Sequence, residues 1–151
     1  NLGSSVGISK ARSRQEFDPA MKLAPEFDRK IVIEAAVPNA RDVECSVLGS
    51  DEPAASVPGE VIPSREFYDY EAKYIDEGSQ TLIPAPLTDE QAATIRRLAI
   101  EAFKADDGAG MARVDFLMDR ESGEIVVNEV NTIPGMTSHS LVPKAAAQAG
   151  L

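Results

Sequence analysis

The stretch MARVDFLMDRESGEIVVNEVN, residues 111–131, decides how this chain folds. Apolar and polar side chains alternate in its first half, and isoleucine and valine dominate its second half, as is typical of strands. The polar segment DRESG at 119–123 separates the halves and is typical of a hairpin turn. The pattern therefore predicts two antiparallel strands, one over 111–118 and one over 124–130.

Four polar side chains are predicted to share one face of this hairpin. Residues two apart in a strand point the same way, so Arg113 shares a face with Asp115, and Glu129 with Asn131. If the strands pair through the turn, Asp115 lies near Glu129. Carboxylate and amide oxygens suit Mg²⁺. The alternative is a solvated face with an Arg–Asp pair, but neighbouring valines imply partial burial, where unpaired carboxylates are costly.

The segment PGMTSHS at 134–140 follows the second strand and suits neither a helix nor a strand. Its backbone N–H groups and hydroxyls would lie beside the predicted metal site, where backbone donors can stabilise an oxyanion. His139 is the only histidine and could serve as a general base. No carboxylate partner lies near it in the sequence, so we predict a structural role for it.

Outward from the hairpin, short helices and strands alternate with loops. The sequence offers two starts for the first helix: a capping box that begins at Ser13, or Asp18 as the N-cap followed by Pro19. Thr88 and Gln91 have capping-box spacing before the clearest helix. The predicted elements are helices at 13–24, 88–105 and 143–149, a buried strand at 31–37, and strands at 42–48 and 59–62. Hairpins with packed helices predict an α+β fold with antiparallel pairing.

Two loops have compositions suited to phosphate binding. Gly3–Gly7 could present backbone N–H groups to an anion, although a plain flexible loop explains it equally well. The polar and aromatic segment 63–80 contains all three tyrosines, and Lys73 lies among its aromatic rings. Lysine is a point charge suited to phosphate. An amphipathic surface loop is the alternative, which the clustering of the tyrosines disfavours.

Composition narrows the classes of function. The 151 residues carry a net charge of −10. A nucleic-acid-binding protein would usually have a basic face, and the sequence shows none. No apolar run approaches the roughly 20 residues of a membrane span. Cys45 is the only cysteine, which rules out an internal disulfide and fits a reducing cytoplasm. Both ends of the chain look cut, so we expect a fragment of a longer protein.

Six stretches, taken in order along the chain, carry a family resemblance. They are GSSVGISK (3–10), IVIEAAV (31–37), RDVECSVLG (41–49), FYDYEAKY (67–74), ARVDF (112–116) and NEVNTIPGMTSHSLVP (128–143). With them the chain resembles the D-alanine–D-alanine ligases of the ATP-grasp superfamily. The resemblance implies a fragment that lacks the N-terminal domain. Residues 1–83 would be the later part of the central region, and 84–151 the C-terminal catalytic subdomain.

The resemblance implies an ATP site. The adenine contacts would come from the side chain of Glu34 and the backbones of Ala36 and Val37. Ala35 departs from the family pattern, in which lysine is common, and one adenine contact is thereby lost. Asp42 would hold the ribose hydroxyls, with Glu44 as the fallback. Lys73 would contact the phosphates, and Ser4 and Tyr74 would close a lid over them.

The resemblance also assigns the reacting groups. Asp115, Glu129 and Asn131 would hold two Mg²⁺ ions, or Mn²⁺ in their place, with Glu129 bridging. Arg113 and the Gly135 N–H would stabilise developing charge. The carboxylate of the second amino acid would be held by Ser140 and the Leu141 N–H.

The implied activity is the ATP-dependent joining of two D-alanine molecules through an acyl phosphate, a carbon–nitrogen ligation. It would serve peptidoglycan synthesis, cell wall biogenesis and cell shape in the cytoplasm. The full-length protein would be a homodimer, with no nucleic-acid or membrane partner. Three alternatives remain: a D-alanine–D-lactate or D-alanine–D-serine ligase, a non-catalytic ATP-binding fragment that is inactive alone, and a structural acidic domain. Two of the matching stretches, FYDYEAKY (67–74) with its lysine and TSHS (137–140), favour D-alanine as the second substrate.

Overall fold

The computed structural model describes residues 5–62, 80–137 and 140–148. Contacts divide the chain into two compact units. One contains the described residues up to 36, and the other contains 37–62 with the described residues from 80 onward. The division predicted at residue 83 stays a prediction about the whole protein. Of the helices in the described part of the chain, none has both the length and the apolar character to cross a membrane.

The first unit contains helix α1, Arg14–Leu23, which continues into a 3₁₀ turn at Ala24–Glu26. Ser13 is its N-cap, and the Ser13 hydroxyl accepts a hydrogen bond from the Glu16 N–H at 3.3 Å. The Glu16 carboxylate accepts the Arg12 N–H at 2.7 Å. The helix therefore begins after Ser13, and of the two predicted starts the first is confirmed.

The predicted buried strand at 31–37 is wrong. This segment forms no strand among the described residues, and Val32 and Ile33 are 71% and 64% exposed. A strand needs a hydrogen-bonded neighbour as well as an apolar sequence. No described strand pairs with this segment, so among the described residues its apolar pattern does not lead to a strand.

The second unit is built on an antiparallel sheet, which confirms the predicted α+β class. Its strands are β1 Ala40–Gly49, β2 Ala54–Ala55, β3 Gly59–Ile62, β4 Gln80–Leu82, β5 Gly110–Asp119 and β6 Ile125–Asn131. Their order is β4-β3-β1-β5-β6, and β2 pairs with β1. Its helices are α2 Asp89–Ala105 and α3 Leu141–Gln148. The central strand β1 pairs along its whole length with β5.

The hydrophobic core lies between α2 and one face of the sheet. Alternate residues of the two central strands and residues four apart on α2 fill it: Val43, Cys45, Val47, Val114, Phe116, Ile95, Ala99 and Phe103. The predicted capping box at the start of α2 is confirmed. The Thr88 hydroxyl accepts the Gln91 backbone N–H at 3.2 Å, and the side-chain amide oxygen of Gln91 accepts the Thr88 N–H at 3.0 Å.

Cys45 is expected to resist thiol reagents in the folded protein. Burial raises the pKa of its thiol to about 11, although the hydrogen bond with Ser56 and the charge of Arg96 act in the opposite direction. A thiol-specific reagent at neutral pH should therefore label the protein only after unfolding. Because the folded pKa is raised, burial contributes its full stability below pH 9.0, and that stability is lost as the pH rises toward 11. Labelling of the native protein at the rate of the unfolded chain would contradict this prediction.

Helix α3 begins at Leu141, two residues before the predicted start, and buries Leu141, Val142 and Ala145. Pro143 lies in its first turn, where a missing N–H removes no helical hydrogen bond. Gly59 on β3 allows this helix to approach closely. A Cβ atom at Gly59 would lie 2.5 Å from Cδ1 of Leu141 and 3.2 Å from Cγ1 of Ile83.

Gly59→Val is therefore expected to lower the free energy of unfolding by about 1–3 kcal/mol through overpacking. Gly59→Ala should cost less, because its single methyl group meets the movable end of the Leu141 side chain. Urea unfolding measures both values. Adding Leu141→Ala to Gly59→Val removes the contacted atom and should recover part of the loss. A valine variant as stable as the parent would contradict the packing.

Candidate active site

Two rows of polar residues cross the sheet face opposite α2. Strand register places one residue from each of β1, β5 and β6 in each row: Glu44, Asp115 and Glu129 in the first, and Ser46, Arg113 and Asn131 in the second. The rows are two residues apart along each strand, so they are neighbours on one face. The predicted proximity of Asp115 and Glu129 is confirmed, and we call these six residues the polar cluster.

A β-bulge in β6 places Glu129 in the cluster. Phe116 pairs with Val127, whereas Asp115 pairs with Glu129, so Asn128 is an extra residue without a cross-strand partner. Regular pairing from the turn would set Glu129 opposite Val114, on the face that packs against α2. The extra residue therefore moves Glu129 and its neighbours to the opposite face, because the side-chain period of a strand is two.

Arg113 lies at the centre of the polar cluster. Its Nε and Nη2 donate hydrogen bonds of 2.6 Å to the two carboxylate oxygens of Asp115. Nε also lies 3.4 Å from Oε2 of Glu44, and Nη2 lies 4.0 Å from Oε1 of Glu129. These two hydrogen bonds use Nε and Nη2, so neither of them involves Nη1.

The charges of the polar cluster do not balance. Burial alone would lower the pKa of Arg113, but the hydrogen bonds to Asp115 and the charges of the surrounding carboxylates outweigh it and raise that pKa strongly. Burial raises the pKa of Asp115, and the nearby charge of Glu129 adds to this increase, while Arg113 opposes it. One guanidinium faces three carboxylates, so the cluster favours an additional cation.

The donor set fits Mg²⁺ shared with a phosphate. Within the described part of the chain, no three His, Cys, Asp or Glu side chains converge closely enough to hold a metal ion. Mg²⁺ needs only one or two carboxylates when phosphate oxygens and water complete its shell. Glu129 is 55% exposed and so accessible to such an ion, whereas Asp115 is tied to Arg113. The Asn131 amide oxygen accepts the Ile133 N–H at 3.1 Å.

The loop after β6 is held by Ser140. Its hydroxyl accepts the Thr137 N–H at 3.1 Å and lies 3.0 Å from the Thr137 hydroxyl, while the Ser140 N–H donates to the Thr137 carbonyl at 3.0 Å. A Cβ at Gly135 would come within 3.1 Å of the Ser140 hydroxyl. The structure thus brings Gly135 and Ser140 together. Leu141 opens α3, where the first N–H groups have no partner within the helix.

The residues predicted to bind ATP fall in different parts of the structure. Glu34 and Ala36 are exposed in the first unit, while Val37 and Asp42 belong to the second unit. Asp42 is half-buried on β1, on the same face as the polar cluster. Ser4, Lys73 and Tyr74, together with His139, lie outside the described residues.

Two members of the polar cluster were missed as site residues by sequence reasoning. Glu44 was only a fallback for ribose, but it is 8% exposed and lies against Arg113. Ser46 is 1% exposed, and its hydroxyl has no hydrogen-bond partner among the described residues. The available signal was the alternation in RDVECSV, which places Glu44 and Ser46 on the face opposite the core.

Comparisons with known proteins agree along the whole chain. The family described as "D-ala D-ala ligase C-terminus" matches residues 1–151. A D-alanine–D-alanine ligase of Thermoanaerobacter sp. (strain X514) is 57% identical over 99% of this chain and 42% of its own length. The corresponding ligase of Heliobacterium modesticaldum is 52% identical over 100% of this chain and 41% of its own. The chain spans less than half the length of these relatives.

Solved structures give the same result. The VanG D-Ala:D-Ser ligase of Enterococcus faecalis superposes with a TM-score of 0.85 at 42% identity, over 99% of this chain and 43% of that one. The D-alanine–D-alanine ligase of Coxiella burnetii superposes with a TM-score of 0.83 at 36% identity, over 99% and 38%.

Proposed function

This chain belongs to the family described as "D-ala D-ala ligase C-terminus", and from that premise we propose that it is the catalytic C-terminal portion of an ATP-dependent D-alanine–D-alanine ligase. Relatives with that name are 57% and 52% identical, and they support D-alanine as the second substrate. The D-Ala:D-Ser ligase is 42% identical, which makes D-serine the weaker candidate.

The polar cluster is the observation that carries the proposal. Phosphoryl transfer requires neutralisation of charge on phosphate oxygens and exact placement of the reacting groups. The half-exposed Glu129 lies opposite Asp115, and Asn131 is in the next row. These three residues would hold two Mg²⁺ ions, with Mn²⁺ as a substitute and Glu129 as the bridge. The ions would neutralise phosphate charge when bound.

The protein's own donors would act on the acyl group. Arg113 is held by Asp115 through Nε and Nη2, and its Nη1 would donate to an oxygen that gains charge. The Gly135 N–H would be a second donor to that oxygen. Ser140 and the Leu141 N–H would hold the carboxylate of the second D-alanine. Ser140 is already oriented by Thr137.

The ATP contacts complete the proposal. Glu34 with the backbones of Ala36 and Val37 would bind adenine, and Asp42 would bind ribose. The involvement of Glu44 with Arg113 supports Asp42 over the fallback. The phosphates would meet Lys73, and the lid would include Ser4 and Tyr74. By excluding water, the closed lid would protect the acyl phosphate from hydrolysis.

The whole protein would supply D-alanyl-D-alanine for peptidoglycan synthesis in the cytoplasm, and so support the cell wall and cell shape. It would act as a homodimer whose small-molecule partners are D-alanine and ATP. These statements extend beyond this chain, which spans about 42% of a named relative.

The test measures ADP release and dipeptide formation by the full-length protein. We expect both to require ATP, Mg²⁺ and D-alanine, and mass spectrometry should identify D-alanyl-D-alanine as the product. D-serine and D-lactate, offered separately in competition with D-alanine, test the second-substrate site. ADP release that does not depend on D-alanine would contradict the ligase proposal. A main product that joins D-alanine to D-serine or D-lactate would contradict only the choice of second substrate.

The isolated 151-residue chain provides a separate comparison. Because it spans less than half of its relatives, we expect it to bind ATP with Mg²⁺ and to form no dipeptide. Turnover by the isolated chain equal to that of the full-length protein would contradict this expectation.

A further inference from the structure

We propose that Glu44 is a positioning residue that fixes the guanidinium of Arg113, an inference that deepens the proposed function and rests on it. Glu44 lies on the central strand β1, directly opposite Asp115. Its Oε2 atom is 3.4 Å from Nε of Arg113. The residue is 8% exposed, so its carboxylate lies largely out of solvent.

The guanidinium is approached by carboxylates from three adjacent strands. Asp115 binds it with two hydrogen bonds from its own strand, β5. Glu44 is on the β1 side at 3.4 Å, and Glu129 is on the β6 side at 4.0 Å. Arginine has a long side chain with many rotamers. Restraint from Asp115 alone would leave the pair free to swing together, whereas Glu44 on the neighbouring strand restricts that motion.

The surroundings of Glu44 direct its carboxylate toward Arg113. Its other cross-strand neighbour is Gly59 on β3, which has no side chain to bind it. Leu141 packs over Gly59 and is apolar. A buried carboxylate is stabilised by a cationic neighbour, and Arg113 provides one, with its Nε 3.4 Å from Oε2 of Glu44.

Glu44 also lies between two parts of the proposed chemistry. Arg113 is on one side of it, and Leu141, whose N–H would bind the second amino acid, packs over its neighbour Gly59 on the other side. A shift of Glu44 would therefore alter the placement of the oxyanion donor relative to the acceptor site. Such errors of placement affect kcat more than substrate binding.

Glu44→Gln in the full-length protein tests the inference, because it preserves size and removes charge. We expect kcat to fall on the order of 10-fold, as for other residues that orient a functional group, with the KM for ATP changed less than about twofold. Glu44→Asp retains the charge on a shorter side chain and should retain more activity than Glu44→Gln.

A double-mutant cycle separates positioning from general structural damage. If Glu44 acts through Arg113, adding Glu44→Gln to Arg113→Lys should change kcat less than about twofold further. The nuclear magnetic resonance signal of the Arg113 Nε–H gives a readout without turnover. It should be sharp and protected from exchange in the parent protein, and broadened in Glu44→Gln.

Glu60→Gln is the matched control. Glu60 is also a buried carboxylate of the same sheet, bound by Arg41 through hydrogen bonds of 2.9 and 2.7 Å, but it lies on the opposite face. The Glu60→Gln variant should have a lower unfolding midpoint, an unchanged kcat and a sharp Arg113 Nε–H signal.

Any of three results would overturn the inference. The first is a double variant whose kcat falls by the product of the factors measured for the two single variants. The others are an unchanged Arg113 signal in Glu44→Gln and equal kcat losses in Glu44→Gln and Glu60→Gln. A full-length protein that forms no dipeptide would instead overturn the proposed function. In that case the Arg113 signal alone still decides whether Glu44 holds the guanidinium.

Discussion

Arg113→Met is expected to destabilise the second unit by about 3 kcal/mol and to lower ligase turnover at least 100-fold. Methionine fills much of the volume but removes the cation that Asp115 and Glu44 share. Their side chains are only 14% and 10% exposed, so two largely buried carboxylates would lose the charge of Arg113. The stability estimate is at the lower end for a broken buried pair, because Arg113 itself is 20% exposed.

Urea unfolding of the full-length protein measures the stability change, and ADP release measures the turnover. Arg97→Met is the control, because Arg97 forms an exposed pair with Glu101 on α2, in which each side chain is 58% exposed. That pair should contribute less than about 1 kcal/mol, and its loss should not affect turnover.

A second substitution checks the cause. Arg113→Met combined with Asp115→Asn removes the carboxylate that Arg113 binds with two hydrogen bonds, and it should recover a substantial part of the lost stability without restoring turnover. If the double variant is less stable than Arg113→Met by the full cost of Asp115→Asn alone, the charge imbalance is not the source of the loss.

Local sequence signals were sufficient for most of the elements. The capping box at Thr88 and Gln91 involves residues three apart, so its hydrogen bonds follow from the sequence alone. The hairpin of β5 and β6 is equally local, because a short turn joins strands of alternating pattern. The α+β class follows from these elements.

The remainder depended on partners distant in sequence. The apolar pattern at 31–37 indicates a preference for burial, but a pattern cannot supply the strand against which it would pack. The bulge at Asn128 depends on which side chains enter the core. The one sign of it in the sequence is the odd spacing of three residues between Val127 and Val130, which lie on the same face of β6. The role of Glu44 required the pairing of β1 with β5, residues about seventy positions apart.

Glu129→Gln is expected to raise the dissociation constant for the nucleotide-bound metal ion on the order of 100-fold and to reduce turnover by a similar factor. The change replaces the carboxylate that is proposed to bridge the two ions by a neutral amide of the same shape. Mn²⁺ in place of Mg²⁺ allows metal binding to be followed by electron paramagnetic resonance in the presence of a non-hydrolysable nucleotide, so the result does not depend on turnover.

Stability should separate this variant from Arg113→Met. Glu129 is 55% exposed and lies 4.0 Å from the guanidinium, so its loss should change the free energy of unfolding by less than about 0.5 kcal/mol. Glu124→Gln, an exposed acid just before β6, is the matched control and should leave both metal binding and stability unchanged. Normal Mn²⁺ affinity in Glu129→Gln would remove Glu129 from the metal site. Weak Mn²⁺ binding with unaltered stability would instead support Glu129 as a metal ligand whose loss leaves the contacts of Arg113 with Asp115 and Glu44 in place.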